Sequence, residues 1–228
     1  MLSVKNIGLI NFNHVHKNQK SNEEAVLLGK THMVVGIAAT MAVTQPANIP
    51  ELILAVGGGA LGALISDIDV GTSESHRDAD RITVLSVIVV LAVLALDYFF
   101  SAGIINKVVR NSGYGRIIAG IFLFIGICAF GKEQPHRSFM HSFLALLLLG
   151  FAIGLVWEKA VIYFAVGFLS HLATDIFNKR KVRLLYPIKG GVSLGLFHAS
   201  GLANHIFFIV GSAVVVLEVI LFVIRIIR

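Results

Sequence analysis

Seven histidine and aspartate residues fall into four short stretches of this chain: His32, the pair Asp67 and Asp69, His136 with His141, and His171 with Asp175. His171 and Asp175 are spaced i, i+4, which stacks an imidazole and a carboxylate on one face of a helix. His136 follows Pro135 in a loop and His141 is expected in the first turn of a span, so the two can converge from different directions. Asp67-Ile68-Asp69 closes a glycine-rich apolar helix and offers two carboxylates within one turn. Imidazole and carboxylate together are the donor set of zinc, manganese and non-haem iron sites, here for one or two divalent ions, zinc first among them. The chemistry such a set supports is activation of water by the ion. Asp69 or Asp175 would act as the base where not fully ligating, and Arg137 would offer a planar fork to phosphate oxygens. Each piece alone has a plainer reading: Asp-x-Asp can be a solvated helix cap, and His-x-x-x-Asp occurs by chance. The set acquires meaning only if the fold gathers it on one face.

The elements that would do so are membrane helices. The 228 residues are 56% hydrophobic and only 14% charged, with a mean hydropathy of +0.84. A water-soluble domain carries about a quarter charged residues, and disorder and collagen are excluded as well. Against that background nine histidines stand out, because a lipid-embedded chain gains little from imidazole as a packing residue. We expect an all-α, polytopic bundle of about five full spans, near Ile82–Phe100, Ile117–Phe130, Phe139–Trp157, Val161–Phe177 and Leu202–Ile227, preceded by a hairpin of two short helices, Met33–Val43 and Leu52–Ile65. Gln45, Pro46 and Pro50 separate the arms of the hairpin. Met1–Lys30 reads as a polar, poorly packed cytoplasmic arm, and residues 31–228 as one transmembrane domain with its site motifs between 32 and 187. Cys128, the single cysteine, lies in an apolar run and excludes an intramolecular disulfide.

Lysine and arginine set the orientation. With the hairpin entering and leaving by one face, 13 of the 19 basic residues fall in the arm and in the loops 67–81, 132–138 and 178–197, and 6 on the other side. The richer face should be cytoplasmic, and it is the face that carries all seven residues. The net charge of +6 then speaks of topology and anionic lipid, and no direct nucleic-acid binding is expected.

Four stretches also carry a family resemblance: Lys30-Thr31-His32, Gly62–Asp69 (GALISDID), Pro135–Ser142 (PHRSFMHS) and Gly167–Pro187 (GFLSHLATDIFNKRKVRLLYP). Over roughly residues 30 to 190 the chain resembles the YdjM-like, LexA-binding, inner-membrane-associated metal-dependent hydrolases. The resemblance implies an inner-membrane location and a metal site made of His32, Asp67, Asp69, His136, His141, His171 and Asp175, with Arg137 beside it. Val70, Ser138, Met140, Asn178 and Lys181 depart from the family pattern, and none of these removes one of the seven. The function expected is a membrane-bound hydrolase acting on a membrane-associated, phosphate-ester, phospholipid-like substrate. The alternative is a non-catalytic membrane protein whose metal is structural or sensory and whose loops dock a cytoplasmic regulator, the role the family's LexA label implies. A transporter ranks third, since its polar groups should lie at the bilayer midplane.

Other features are assigned more simply. Gly58-x-x-x-Gly62 lacks the Lys-Ser/Thr of a phosphate loop and is expected to pack helices. Asp97-Tyr98 reads as an interfacial anchor. Glu218, midway along the last span, has no partner legible in sequence. His76 reads as a loop residue able to stand in for the imidazole missing at Val70, and no role is assigned to His14, His16, His198 or His205.

Overall fold

Gln45-Pro46-Ala47-Asn48 ends one helix and starts the next. Pro46 has no amide hydrogen with which to continue α1 (29–44), and Asn48 caps the helix that follows. The cap is reciprocal. The Glu51 amide donates to Asn48 Oδ1 at 3.0 Å, while the Glu51 carboxylate accepts from the Asn48 side-chain amide at 2.8 Å and the Ala47 amide at 2.9 Å. Pro50 then sits in the first turn, where a missing donor costs nothing.

The computed structural model describes residues 29–72, 76–196 and 201–227. Most of the N-terminal arm lies outside the described residues, with His14 and His16, as does His198; so do the side chains of Val70 and His76. After α1 come α2 (Ile49–Ile65), a 3-10 turn (Ser66–Thr72), α3 (His76–Phe99), α4 (Ile104–Lys132), α5 (Phe143–Val156), α6 (Ala160–Ile176) and α7 (Leu202–Ile227). Among the described residues the only β pairing is an isolated bridge between Val182 and Val192. The polytopic helical bundle is as expected, with its long spans differently apportioned. Among the described residues four segments are long and apolar enough to cross a membrane: Ile49–Asp69, Ile82–Phe99, Ile104–Lys132 and Leu202–Ile227. The second arm of the hairpin is thus itself a span, because the 3-10 turn lengthens it. The expected spans at 139–157 and 161–177 contribute only 14 and 17 helical residues.

Helix α2 sits between α1 and α6, and glycine sets the distance. A methyl group at Gly36 of α1 would lie 2.6 Å from the Ala63 methyl and 2.7 Å from the Gly59 carbonyl oxygen. One at Gly62 would lie 2.8 Å from the Phe168 amide nitrogen, and one at Gly167 of α6 would lie 2.8 Å from the Gly59 Cα. Backbone meets backbone at both crossings, which is what small residues permit between membrane helices. Helix α6 presents one buried stripe, Phe164, Gly167, Phe168, His171, Leu172 and Asp175. Its apolar part fills the core with Leu149, Ile65, Met140 and Val182, and its last turn turns polar. The outer faces of α3, α4 and α7 expose large apolar side chains, as lipid contact requires.

Three details differ from the sequence reading. Asp97 is buried and accepts from the Ile104 and Ile105 amides at 2.7 and 3.1 Å, so it caps α4, while Tyr98 alone is exposed. The connection expected between the spans Ile82–Phe100 and Ile117–Phe130 is helical from Ile104 onward, interrupted at Gly113, whose φ of 70° and ψ of 153° break the helix. Glu218 has a partner after all, Arg225 Nη2 at 3.8 Å, two turns along the same helix.

Candidate metal centre

All four stretches end at one end of the bundle. The start of α1 brings His32, the 3-10 turn after α2 brings Asp67 and Asp69, the turn between α4 and α5 brings His136, Arg137 and His141, and the last turns of α6 bring His171 and Asp175. His141 does not open a helix. It precedes Ser142, whose hydroxyl caps α5 by accepting from the Ala145 amide at 3.1 Å, so the imidazole is held by the turn and buried completely.

Four donor atoms face one another at the centre. His141 Nε2 lies 3.2 Å from His171 Nε2, 3.4 Å from Asp67 Oδ1 and 3.3 Å from Asp175 Oδ2. His171 Nε2 lies 3.5 Å from the same Asp67 oxygen and 3.8 Å from the same Asp175 oxygen. Ligands at about 2.0–2.1 Å from a tetrahedral ion are separated by about 3.3–3.4 Å. The separations about the two imidazole nitrogens, 3.2–3.8 Å, lie near that spacing. Two imidazole lone pairs and two carboxylate oxygens also require a cation between them, either protons or a metal ion. Asp175 Oδ2 is buried with no hydrogen-bond partner among the described residues, as an oxygen kept for an ion would be. The donor set therefore fits a divalent ion. Two further groups, His32 with Asp67 and His171, and Asp67 with His136 and His141, each bring their donor atoms within 4.8 Å of one another.

Around these atoms lies a ring of orienting contacts. Asp69 Oδ1 is 2.9 Å from His136 Nδ1; Asp69 Oδ2 accepts from the Arg137 amide at 3.2 Å and lies 3.5 Å from His141 Nδ1. His141 thus turns Nε2 to the centre and Nδ1 to a carboxylate, the pairing that fixes the tautomer of a ligating histidine. Burial alone would push the His141 imidazole towards its neutral form. The carboxylates of Asp69, Asp175 and Asp67 outweigh that and hold its pKa well above the ordinary value of 6.5. Arg137 adopts φ of 64°, a left-handed backbone rare outside glycine, and its guanidinium donates to Asp175 Oδ1 at 3.1 Å and to the Arg180 carbonyl at 2.9 Å. Sequence reasoning gave this arginine to phosphate. In the structure two of its nitrogens are engaged within the protein.

Thr174 was missed. Its hydroxyl, within 2.8 Å of the His171 carbonyl and 3.1 Å of the Ser170 carbonyl, lies 3.0 Å from His32 Nδ1. That contact orients the ring so that Nε2 faces Asp175 Oδ1 at 3.8 Å. The signal was available, for Thr174 is one step from Asp175 and three from His171 on the same face. Three of the five departures from the family pattern are buried, Ser138, Met140 and Asn178: Met140 fits against Gly131, and the Ser138 hydroxyl donates to the Pro135 carbonyl.

No curated protein and no solved structure matches the chain. A family model described as YdjM inner membrane protein matches residues 27–227, a range that takes in every residue of the cluster, and the chain accordingly belongs to that family.

Proposed function

We propose that this inner-membrane protein is a metal-dependent hydrolase, acting at the cytoplasmic face on a membrane-associated phosphate ester. The observation that carries the reading is the convergence of two imidazoles and two carboxylates, His141 Nε2 and His171 Nε2 lying 3.2 Å apart and each within 3.3–3.8 Å of both Asp67 Oδ1 and Asp175 Oδ2. A divalent ion held there, zinc by the chemistry of the donors and manganese or iron as alternatives, supplies a Lewis acid and acidifies water. The protein supplies the rest. Asp69, engaged on both oxygens, serves through His136, which at 27% side-chain exposure is the most accessible imidazole of the cluster and stands ready to take a proton at Nε2. Arg137 fixes Asp175. Contact with substrate phosphate then passes to the basic loop that follows α6.

One observation favours a second reading, a structural or sensory ion in a protein that docks a cytoplasmic regulator. His141, His171 and Asp175 are all buried, as the donors of a closed structural ion are, whereas a catalytic ion keeps a position open.

Elemental analysis of detergent-purified protein beside a His171→Ala, Asp175→Ala double variant tests the shared claim. The parent should carry at least one equivalent of a transition metal and the variant little. Equal contents would end both readings, and a metal-loaded parent that cleaves no phospholipid or phosphomonoester in bilayers would leave only the second.

The orientation carries its own prediction. A reporter fused after Lys189 should be cytoplasmic, and one inserted beside Gly113 external. The reverse result would move the centre to the outside.

A further inference from the structure

The segment 177–196 between α6 and α7 is built, basic and greasy at once. It is anchored by backbone bonds, Val182 paired with Val192 at 2.9 Å in both directions, the Leu194 amide to the Ile176 carbonyl at 2.7 Å, and the Phe143 amide to the Leu184 carbonyl at 2.9 Å. From Asn178 to Leu196 it contains five lysines and arginines and no acidic residue. Arg180, Lys181, Arg183 and Lys189 are exposed. So are large apolar side chains, Leu185 at 64% and Ile188 at 66%, with Val192, Leu194 and Leu196 beyond them. Water is a poor solvent for that apolar row, whereas an anionic bilayer surface offers acyl chains to the apolar side chains and phosphates to the basic ones.

Helix lengths say where this surface lies. With 14 and 17 residues, α5 and α6 are about 21 and 26 Å long, short of the roughly 30 Å hydrocarbon core. Their shared far end carries the exposed charged pair Glu158 and Lys159, which stays at the opposite interface. The loop at the other end of α6 is therefore drawn down to the boundary between acyl chains and headgroups.

We infer that residues 177–196 form a membrane-interface collar for anionic phospholipid, in which Leu185 and Ile188 enter the acyl layer while Arg180, Lys181, Arg183 and Lys189 hold headgroup phosphates. Long basic side chains beside apolar ones suit that boundary, with stems in the lipid and heads at the phosphates. The collar is argued without the metal, and its test is separate from that of the centre.

The probe is a fluorophore on Ile188→Cys in a Cys128→Ser background, in nanodiscs of phosphatidylcholine or of phosphatidylcholine with phosphatidylglycerol. Brominated acyl chains should quench it at least about twofold more in the anionic discs at low salt. The excess should fall as salt is raised, a measurement on folded protein that needs no further substitution. It should also vanish in an Arg180→Gln, Lys181→Gln, Arg183→Gln, Lys189→Gln variant whose metal content is unchanged. Equal quenching in the two lipids, strong or weak, would overturn the collar, as would an excess indifferent to salt and to the four substitutions.

Discussion

Replacing His141 by alanine should cost the protein more divalent-ion affinity than any other single change. It removes a central donor and takes one imidazole from Asp69 Oδ2, 3.5 Å from the lost Nδ1, and from Asp67 and Asp175 around the vacated Nε2. Asp69→Asn should be milder, a loss of about 10–100-fold, the usual cost of an outer partner of a ligating histidine. Competition with a chromophoric chelator on detergent-purified protein measures both, and equal losses would demote His141 from donor to bystander. The proton on His141 gives the pH dependence its sign. Its pKa is raised, so an ion must displace that proton, and apparent affinity should fall with decreasing pH by up to about tenfold per unit. In the metal-free protein the same proton stabilises the fold fully below the unfolded value of 6.5. That contribution is lost as pH rises through the raised folded value. Chelator-treated protein should therefore lose melting temperature on the alkaline side, and metal-loaded protein much less.

The second large effect is expected far from any donor. Gly167→Val should abolish folding, because its new side chain would meet the Gly59 Cα at 2.8 Å, backbone that has no rotamer to yield. Overpacking in a core typically costs about 1–3 kcal/mol, and a clash between two backbones belongs at or beyond the upper end. Gly126→Val on α4 is the control, since a Cβ there meets nothing within 4 Å. Monodisperse yield after detergent extraction should collapse for the first and hold for the second. A well-folded Gly167→Val would mean that α2 and α6 can part without unfolding.

Much of this arrangement was legible because periodicity and topology are sequence properties. The i, i+4 stripe of α6 reads straight from Phe164, Phe168 and Leu172 into His171 and Asp175. The counting of spans placed all four stretches at one end before any geometry was known. Helix boundaries were less legible, since hydropathy reports burial and not hydrogen bonding. Phe139 and Met140 look like the start of a span, but they are buried in the core as part of a turn, and the helix begins only where Ser142 caps it. Pro50 looks like a break and sits instead in a first turn. Partners were the least legible. That Arg137 serves Asp175 and the Arg180 carbonyl, that Asp97 caps α4, and that Glu218 meets Arg225 all depend on where the chain returns.

The spread of the centre along the chain has a consequence for biosynthesis. His32 meets Thr174 across 142 residues of sequence, so the N-terminal hairpin enters the bilayer, carrying Asp67 and Asp69, before the turn with His136 and His141 or helix α6 has been made. Until then Asp67 has His32 alone of the imidazoles that will surround it, and Asp69 has neither His136 nor His141, so both must stay hydrated or take up protons. In a nascent chain halted after α4 these carboxylates should accordingly remain open to water, and the synthesis of α6 should close them off.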